Sequence, residues 1–271
     1  MIIDSHVHVW VQQPEKYPWS PIGGYVPESE APAEALLTLM DAAGVESAVL
    51  VQPTPYGWDN SYLLDAAKRF PNRFRCVCLV DPMAEDAPQI LSQLVEQHGI
   101  AGIRINWHIK PVEVWQTDVH HRALWQTVSR LGLPVCLQLT PKYFDLLREM
   151  VEEFDLRVVI DHLGRPKTAA SLEDVQFVKL LDLAQDDRIY VKLSGLNYYS
   201  GESSPYRDVW PLLKTVYDRF GAQRCMWGSD FPFVQDHWSY AGLLDTVRNG
   251  WQFDADGMAW VLGGTALNLW W

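Results

Sequence analysis

The stretch Ile2-Ile3-Asp4-Ser5-His6-Val7-His8 begins the regular structure of the chain, and its reading decides the fold. Its β-branched start and alternating side chains describe a strand, and the period of two sends His6 and His8 to one face and Val7 to the other. In an open nucleotide-binding sheet the first strand leads into a glycine-rich phosphate loop. Here neither G-x-G-x-x-G nor a P-loop follows, which argues against that class. An irregular segment rich in Pro and Trp (11–32) comes next, then a helix over 33–43 that stops at Gly44.

The same rhythm continues to the end of the chain. Strands are predicted at 2–8, 47–52, 74–80, 101–106, 135–139, 157–162, 189–194 and 224–229. Helices are predicted at 33–43, 61–70, 87–98, 121–131, 144–153, 172–184 and 209–220, with the tail from Leu243 supplying the last ones. Eight strand–helix units with no linker and no change of composition predict an α/β chain folded as a single (β/α)8 TIM barrel over 1–271. A length of 271 residues suits that architecture, whose members run to about 250 residues in one domain.

Composition narrows the function. Lys and Arg number 22 against 34 Asp and Glu, a formal charge of −12, which disfavours nucleic acid and anionic membrane as partners because phosphate surfaces need clustered cations. A small anionic substrate stays compatible, since a few cations in one pocket outweigh a negative exterior. No run of about 20 apolar residues is present to span a membrane. Cys76, Cys78, Cys136 and Cys225 lie in apolar strand-like stretches without CxxC spacing, and the first residues lack a basic or signal-length apolar run. Both features predict reduced core thiols in a cytoplasmic protein. Of thirteen tryptophans, Trp260, Trp270 and Trp271 are expected to close the bottom or side of the fold; the other reading is an aromatic homodimer contact.

In a barrel of this kind chemistry gathers at the C-terminal ends of the strands. His6 and His8 end the first strand on one face and can converge on one ion, although His-x-His alone also fits a surface pair. Strand six runs into Asp161-His162-Leu163-Gly164-Arg165-Pro166, where His162 is a core or a site residue and Arg165 a mouth residue or half of a surface ion pair. Strand eight runs into Trp227-Gly228-Ser229-Asp230-Phe231-Pro232, with Asp230 a metal ligand, a general base or an ordinary helix cap. The three signals fall in register with strands one, six and eight.

With Asp4-Ser5-His6-Val7-His8, Gly102-Ile103-Arg104, Asp161-His162-Leu163-Gly164-Arg165-Pro166, Lys192-Leu193-Ser194-Gly195, Tyr206-Arg207-Asp208 and Trp227-Gly228-Ser229-Asp230 in this order, the sequence resembles the amidohydrolase-related superfamily. The likeness is to the branch of metal-dependent hydrolases that includes sugar-acid lactonases and 2-pyrone-4,6-dicarboxylate lactonase. That resemblance implies catalytic roles for Asp230, His162, His6 and His8. It gives the same four as ligands of one divalent ion, zinc by donor type, which is dispensable in some members of the branch. It implies carboxylate binding by Arg104, Arg165 and Lys110. Asn197 departs from the dicarboxylate enzyme, which carries an Arg there, and puts a second substrate carboxylate in doubt. Gln138 stands where many metal-dependent relatives have a strand-five His, and no carbamylation-type Lys ends strand four, so a binuclear centre is not expected.

From their places at strand ends, Gln52 and Gln138 are candidates to bind a substrate hydroxyl. Trp107, Tyr198, Tyr199 and Trp238 are candidate pocket walls, or simply pack in loops. Lys192 points inward only if Ser194 does too. The predicted reaction is opening of a carboxylated or hydroxylated lactone by activated water. Asp230 acts as base once a metal or burial compensates for an ordinary Asp pKa near 3.9. The rival readings are a zinc-dependent non-oxidative decarboxylase of the same superfamily, against which Gln138 argues, and a non-catalytic barrel that binds an organic acid.

Overall fold

The computed structural model describes residues 1–107, 117–167 and 171–271. Eight strands form one parallel sheet in chain order: β1 Ile3–Val7, β2 Ser47–Val51, β3 Phe74–Cys78, β4 Gly102–Asn106, β5 Val135–Gln138, β6 Val158–Ile160, β7 Ile189–Leu193 and β8 Cys225–Trp227. The described helices are α1 Ala33–Ala43, α2 Ser61–Arg69, α3 Ala87–His98, α4 Val119–Leu131, α5 Phe144–Phe154, α6 Val175–Asp182, α7 Trp210–Phe220, α8 Tyr240–Gly250, α9 Ala255–Ala259 and α10 Thr265–Trp270. The sheet closes just beyond β8, where Phe231 bridges Val7 in parallel, His8 N donates to Phe231 O at 2.7 Å and Asp230 N donates to His6 O at 2.9 Å. This is the (β/α)8 barrel that the alternation predicts.

Strand parity sorts the side chains. Val49, Val51, Val77, Cys136, Val159 and Met226 point inward and pack with Ile3, Leu269 and Trp270 in one apolar cluster. Their strand neighbours Leu50, Ile103, Ile105, Leu137, Val158, Ile160, Val191 and Trp227 belong to the larger shell between sheet and helices. The helices supply the other half of that shell through residues three and four apart, as in α5, which buries Phe144, Leu147, Met150, Val151 and Phe154. Ile3 and His6 both face inward although they are an odd three positions apart. A register shift between Asp4 and Val7 makes this possible by adding the extra residue of a bulge.

Several elements differ from their predicted bounds for local reasons. Helix α4 starts two residues early because Asp118 caps it, accepting from His120 N and His121 N at 2.9 and 3.0 Å. Helix α6 is shorter at both ends, with Asp174 as cap and a 3-10 turn over Leu183–Gln185. Among the C-terminal tryptophans, Trp270 is the one that plugs the barrel floor, only 4% exposed, while Trp271 is 40% exposed with the Arg75 guanidinium 4.9 Å from its ring.

Candidate active site

The closure seam brings the ends of β1 and β8 together, and the polar residues meet there. Asp4, buried at the start of β1, accepts from Ser229 N (2.8 Å), His6 N (3.2 Å) and Tyr240 OH (3.0 Å), tying the two strands to α8. Gly228 packs directly on His6: a Cβ there would lie 2.8 Å from His6 Cβ. Asp230 adopts φ 59, a left-handed conformation that Asp tolerates better than most residues. Its Oδ2 accepts the Tyr198 hydroxyl, and its Oδ1 faces the Nε2 atoms of His6, His8 and His162 at 3.6, 3.6 and 3.9 Å.

His162 reaches this point through an unusual backbone. β6 ends at Ile160, and His162, Leu163, Gly164 and Arg165 follow with φ of 52, 54, 69 and 52, a short left-handed turn. Left-handed geometry costs about 1–2 kcal/mol for each non-glycine residue. The surrounding packing holds it there, with Ser194 Oγ at 2.9 Å from His162 Nδ1. Gly195 leaves room for this arrangement, since a Cβ on it would meet Tyr198 at 2.6 Å and His162 Nδ1 at 2.7 Å. The sequence reads His162 as the last residue of a strand; it is instead the first of the left-handed residues that aim Arg165 at the same cavity.

Behind the imidazoles lies a buried charge cluster. Asp161 Oδ2 pairs with Arg104 Nε at 3.2 Å and Oδ1 with Lys192 Nζ at 3.0 Å. Burial works against the Asp161 carboxylate, but the Lys192 and Arg104 cations outweigh it and hold its pKa well below the usual value. Burial keeps the histidines neutral, pushing His8 down to about 3 and His6 and His162 well below their usual value. Asp230 moves the other way, raised to about 7 chiefly by burial against the opposing effects of Tyr198 and Arg104.

Above these groups is a cavity of about 370 Å³ lined by His8, Arg104, Gln138, His162, Arg165, Tyr198 and Asp230, with Gly23, Tyr25, Pro53, Thr54 and Phe233. The Arg165 guanidinium lies 4.5 Å from the Tyr198 ring centre, and its Nε has no hydrogen-bond partner among the described residues. His6 is buried just beneath, in contact with His8 at 3.1 Å between Nε2 atoms. Two expected binding residues are not at the cavity. Gln52 follows inward Val51 and so points outward, its amide donating to Asp59 O at 2.6 Å. Trp107 follows inward Asn106 and packs in the outer shell against Tyr143. The expectation for Gln52 rested on position at a strand end and ignored parity, while Trp107 takes the packing alternative. Lys110 lies outside the described residues. Lys192 and Ser194 both point inward. Tyr199 is fully buried, and Trp238 packs on Tyr206 rather than at the cavity.

Tyr25, Thr54 and Phe233 escaped the sequence reading because they sit in loops with no periodicity. The role of Tyr198 as partner of Asp230 likewise had no local signal. Asn106 was also overlooked: it faces inward two residues beyond Arg104, 4% exposed, with neither amide atom hydrogen-bonded among the described residues. Period two from Arg104 would have found it.

By donor type and spacing the set suits a single divalent ion. Ligands about 2.0–2.2 Å from a tetrahedral zinc stand a little over 3 Å apart; His6 and His8 are 3.1 Å apart, and Asp230 Oδ1 is 3.6–3.9 Å from the three imidazoles. One ligand atom from each of His6, His162 and Asp230 falls within 4.8 Å of the others. His6 can contribute only with its proton on Nδ1.

The chain matches the profile of the amidohydrolase family over residues 3–270. It belongs to that family. Among curated relatives of this amidohydrolase, a 4-sulfomuconolactone hydrolase of Hydrogenophaga intermedia is 29% identical, the match covering 90% of this chain and 77% of the relative. An L-fucono-1,5-lactonase of Burkholderia ambifaria is 29% identical over 85% and 80%. A 2-pyrone-4,6-dicarboxylate hydrolase of Comamonas testosteroni is 29% identical over 89% and 81%. Among solved structures, a Pseudomonas putida protein described as a candidate 2-pyrone-4,6-dicarboxylic acid hydrolase superposes with a TM-score of 0.86 at 27% identity, over 99% of this chain and 97% of that one. A zinc-bound amidohydrolase of Burkholderia multivorans shares the fold with TM-score 0.80 at 24% identity, over 100% and 99%. A 5-carboxyvanillate decarboxylase of Sphingomonas paucimobilis is more distant, at 0.71 and 15%, over 99% and 98%.

Proposed function

We propose that this amidohydrolase opens the ring of a small anionic lactone. The observation that carries the reading is one cavity in which Asp230 Oδ1 faces three imidazoles while Arg104 and Arg165 line the wall. The lactone-hydrolysing activity of the relatives at 28–29% identity supports it.

Arg165 and the part of Arg104 not engaged by Asp161 orient the substrate by its carboxylate. With its pKa raised to about 7, Asp230 is a far stronger base than an ordinary aspartate. It takes a proton from water as the oxygen attacks the ring carbonyl, and the neighbouring His162 and the arginine charge stabilise the developing oxyanion. The tetrahedral intermediate collapses with cleavage of the ring C–O bond. The alkoxide leaving group takes the proton back from Asp230, so one water is consumed and a hydroxy acid leaves. Tyr198 holds Oδ2 and thereby turns Oδ1 to the reacting water. A divalent ion held by His6, His8, His162 and Asp230 would supply Lewis acidity at the same place.

The test is turnover by the purified protein of sugar-acid lactones, muconolactones and pyrone carboxylates, with and without chelator, recording ring opening and carbon dioxide together. Opening of at least one carboxylated or hydroxylated lactone without gas release is expected. Carbon dioxide release in its place would make the protein a decarboxylase.

A further inference from the structure

Beneath the imidazoles, on the side away from the cavity, sits a cation that the ring-opening chemistry does not use. Lys192 is completely buried. Its Nζ lies 2.9 Å from His6 Nδ1, 3.0 Å from Asp161 Oδ1 and 3.3 Å from Cys136 Sγ, with the Trp270 ring centre 5.6 Å away. An ammonium has three N–H bonds and no lone pair, so it can only donate: it hydrogen-bonds His6 Nδ1 and Cys136 Sγ and forms an ion pair with Asp161 Oδ1.

The consequence runs through two histidines. His6 Nδ1 accepts from Lys192 and therefore carries no proton, which leaves the proton of the neutral ring on Nε2. Its neighbour there is His8 Nε2 at 3.1 Å. His8 Nδ1 lies 2.7 Å from the Val51 carbonyl, which can only accept, so His8 bears its proton on Nδ1 and offers a lone pair at Nε2. Donation thus runs in one direction at every link, from Lys192 to His6, from His6 to His8 and from His8 to Val51 O.

We propose that Lys192 is a positioning residue that holds His6 in the Nε2–H form and thereby sets the His6–His8–His162–Asp230 cluster against taking up a divalent ion. To become a ligand His6 must expose the Nε2 lone pair and carry its proton on Nδ1. Asp161 Oδ1, 3.3 Å from Nδ1, is placed to receive that proton's hydrogen bond in the carboxylate–histidine arrangement common behind metal ligands. The Lys192 ammonium blocks the change, because it would then face an N–H at 2.9 Å. While the chain of donation stands, the lone pair of His8 Nε2 is also engaged, and His162 and Asp230 alone are too few to hold zinc tightly. The inference concerns cation preference and is independent of which ring the enzyme opens.

Two measurements test it. Zinc competition against a chromophoric chelator should give a Lys192→Met protein that binds one zinc roughly 10–100-fold more tightly than the wild type. Nitrogen-15 spectra of the metal-free wild type, with the His6 signals assigned by His6→Gln, should show an acceptor-type Nδ1 and a protonated Nε2. Equal zinc affinity of the two proteins would overturn the proposal. So would a His6 proton on Nδ1 in the wild type, a result that stands even if Lys192→Met fails to fold.

Discussion

The same strands build two unlike regions of one barrel interior. At the floor, Val49, Val77, Cys136, Val159 and Met226 meet Ile3 and Trp270 in an apolar layer. One inward step along the strands, Cys136 gives way to Gln138, Val159 to Asp161, and Ile3, through the register shift, to His6. The floor gains from removing apolar surface from water. The mouth does the reverse: it buries three neutral histidines, an Arg–Asp–Lys cluster and a turn of left-handed backbone, each of which costs free energy that packing elsewhere offsets. Lys192 lies at the boundary, with an aromatic ring beneath it and a carboxylate above. The contrast teaches that stability and chemistry are separated by height within the barrel, so substitutions at the two levels should fail in different ways.

The sharpest break of the floor is Trp270→Ala. Removing this buried plug should lower unfolding free energy by about 3–5 kcal/mol in denaturant titration, while turnover per folded molecule stays near wild type. A drop in turnover at unchanged stability would show that the levels are not separable.

A buried histidine away from both levels provides a control. His121 accepts from Trp125 Nε1 at 2.8 Å, and burial lowers its pKa to about 4. The unfolded chain binds this proton near pH 6.5 and the folded chain near 4. Its contribution is therefore present above pH 6.5 and lost progressively as pH falls to about 4, on the order of 3 kcal/mol. His121→Gln should flatten that part of the stability–pH curve and leave the rate of ring opening unaltered.

At the mouth, Arg165→Ala should reduce kcat/KM on a carboxylated lactone by an amount equivalent to about 2–3 kcal/mol and affect an uncharged lactone far less. Its guanidinium has no carboxylate partner among the described residues, so stability should change little. The smallest effect is expected at Gln52→Ala, where loss of the bond to Asp59 O removes about 1 kcal/mol of stability and no substrate contact.

The barrel was legible because eight apolar runs alternate with amphipathic ones, and no local feature contradicts that rhythm. His6, His8, His162 and Asp230 were legible as candidates because each sits at a strand end beside a motif. Gln52 was misplaced for the same reason: an end is not a face, and inward Val51 sends the next residue outward, as inward Asn106 does for Trp107. Tyr25, Thr54 and Phe233 could not be read at all, because loops carry no period from which to infer direction. The left-handed turn at His162 had only Gly164 as a signal. The proton arrangement around His6 depends on Lys192, 186 positions away in the chain, and distances of that kind are set by barrel closure alone.

The most direct test of the account is the steady-state kinetics of Asp230→Asn on the best lactone of the panel. Asn preserves the size of the side chain and an oxygen for the Tyr198 hydroxyl but cannot take a proton from water. The account predicts an intact fold with kcat/KM lower by about 10²–10⁴-fold. A variant that opens the same lactone at the wild-type rate would contradict it.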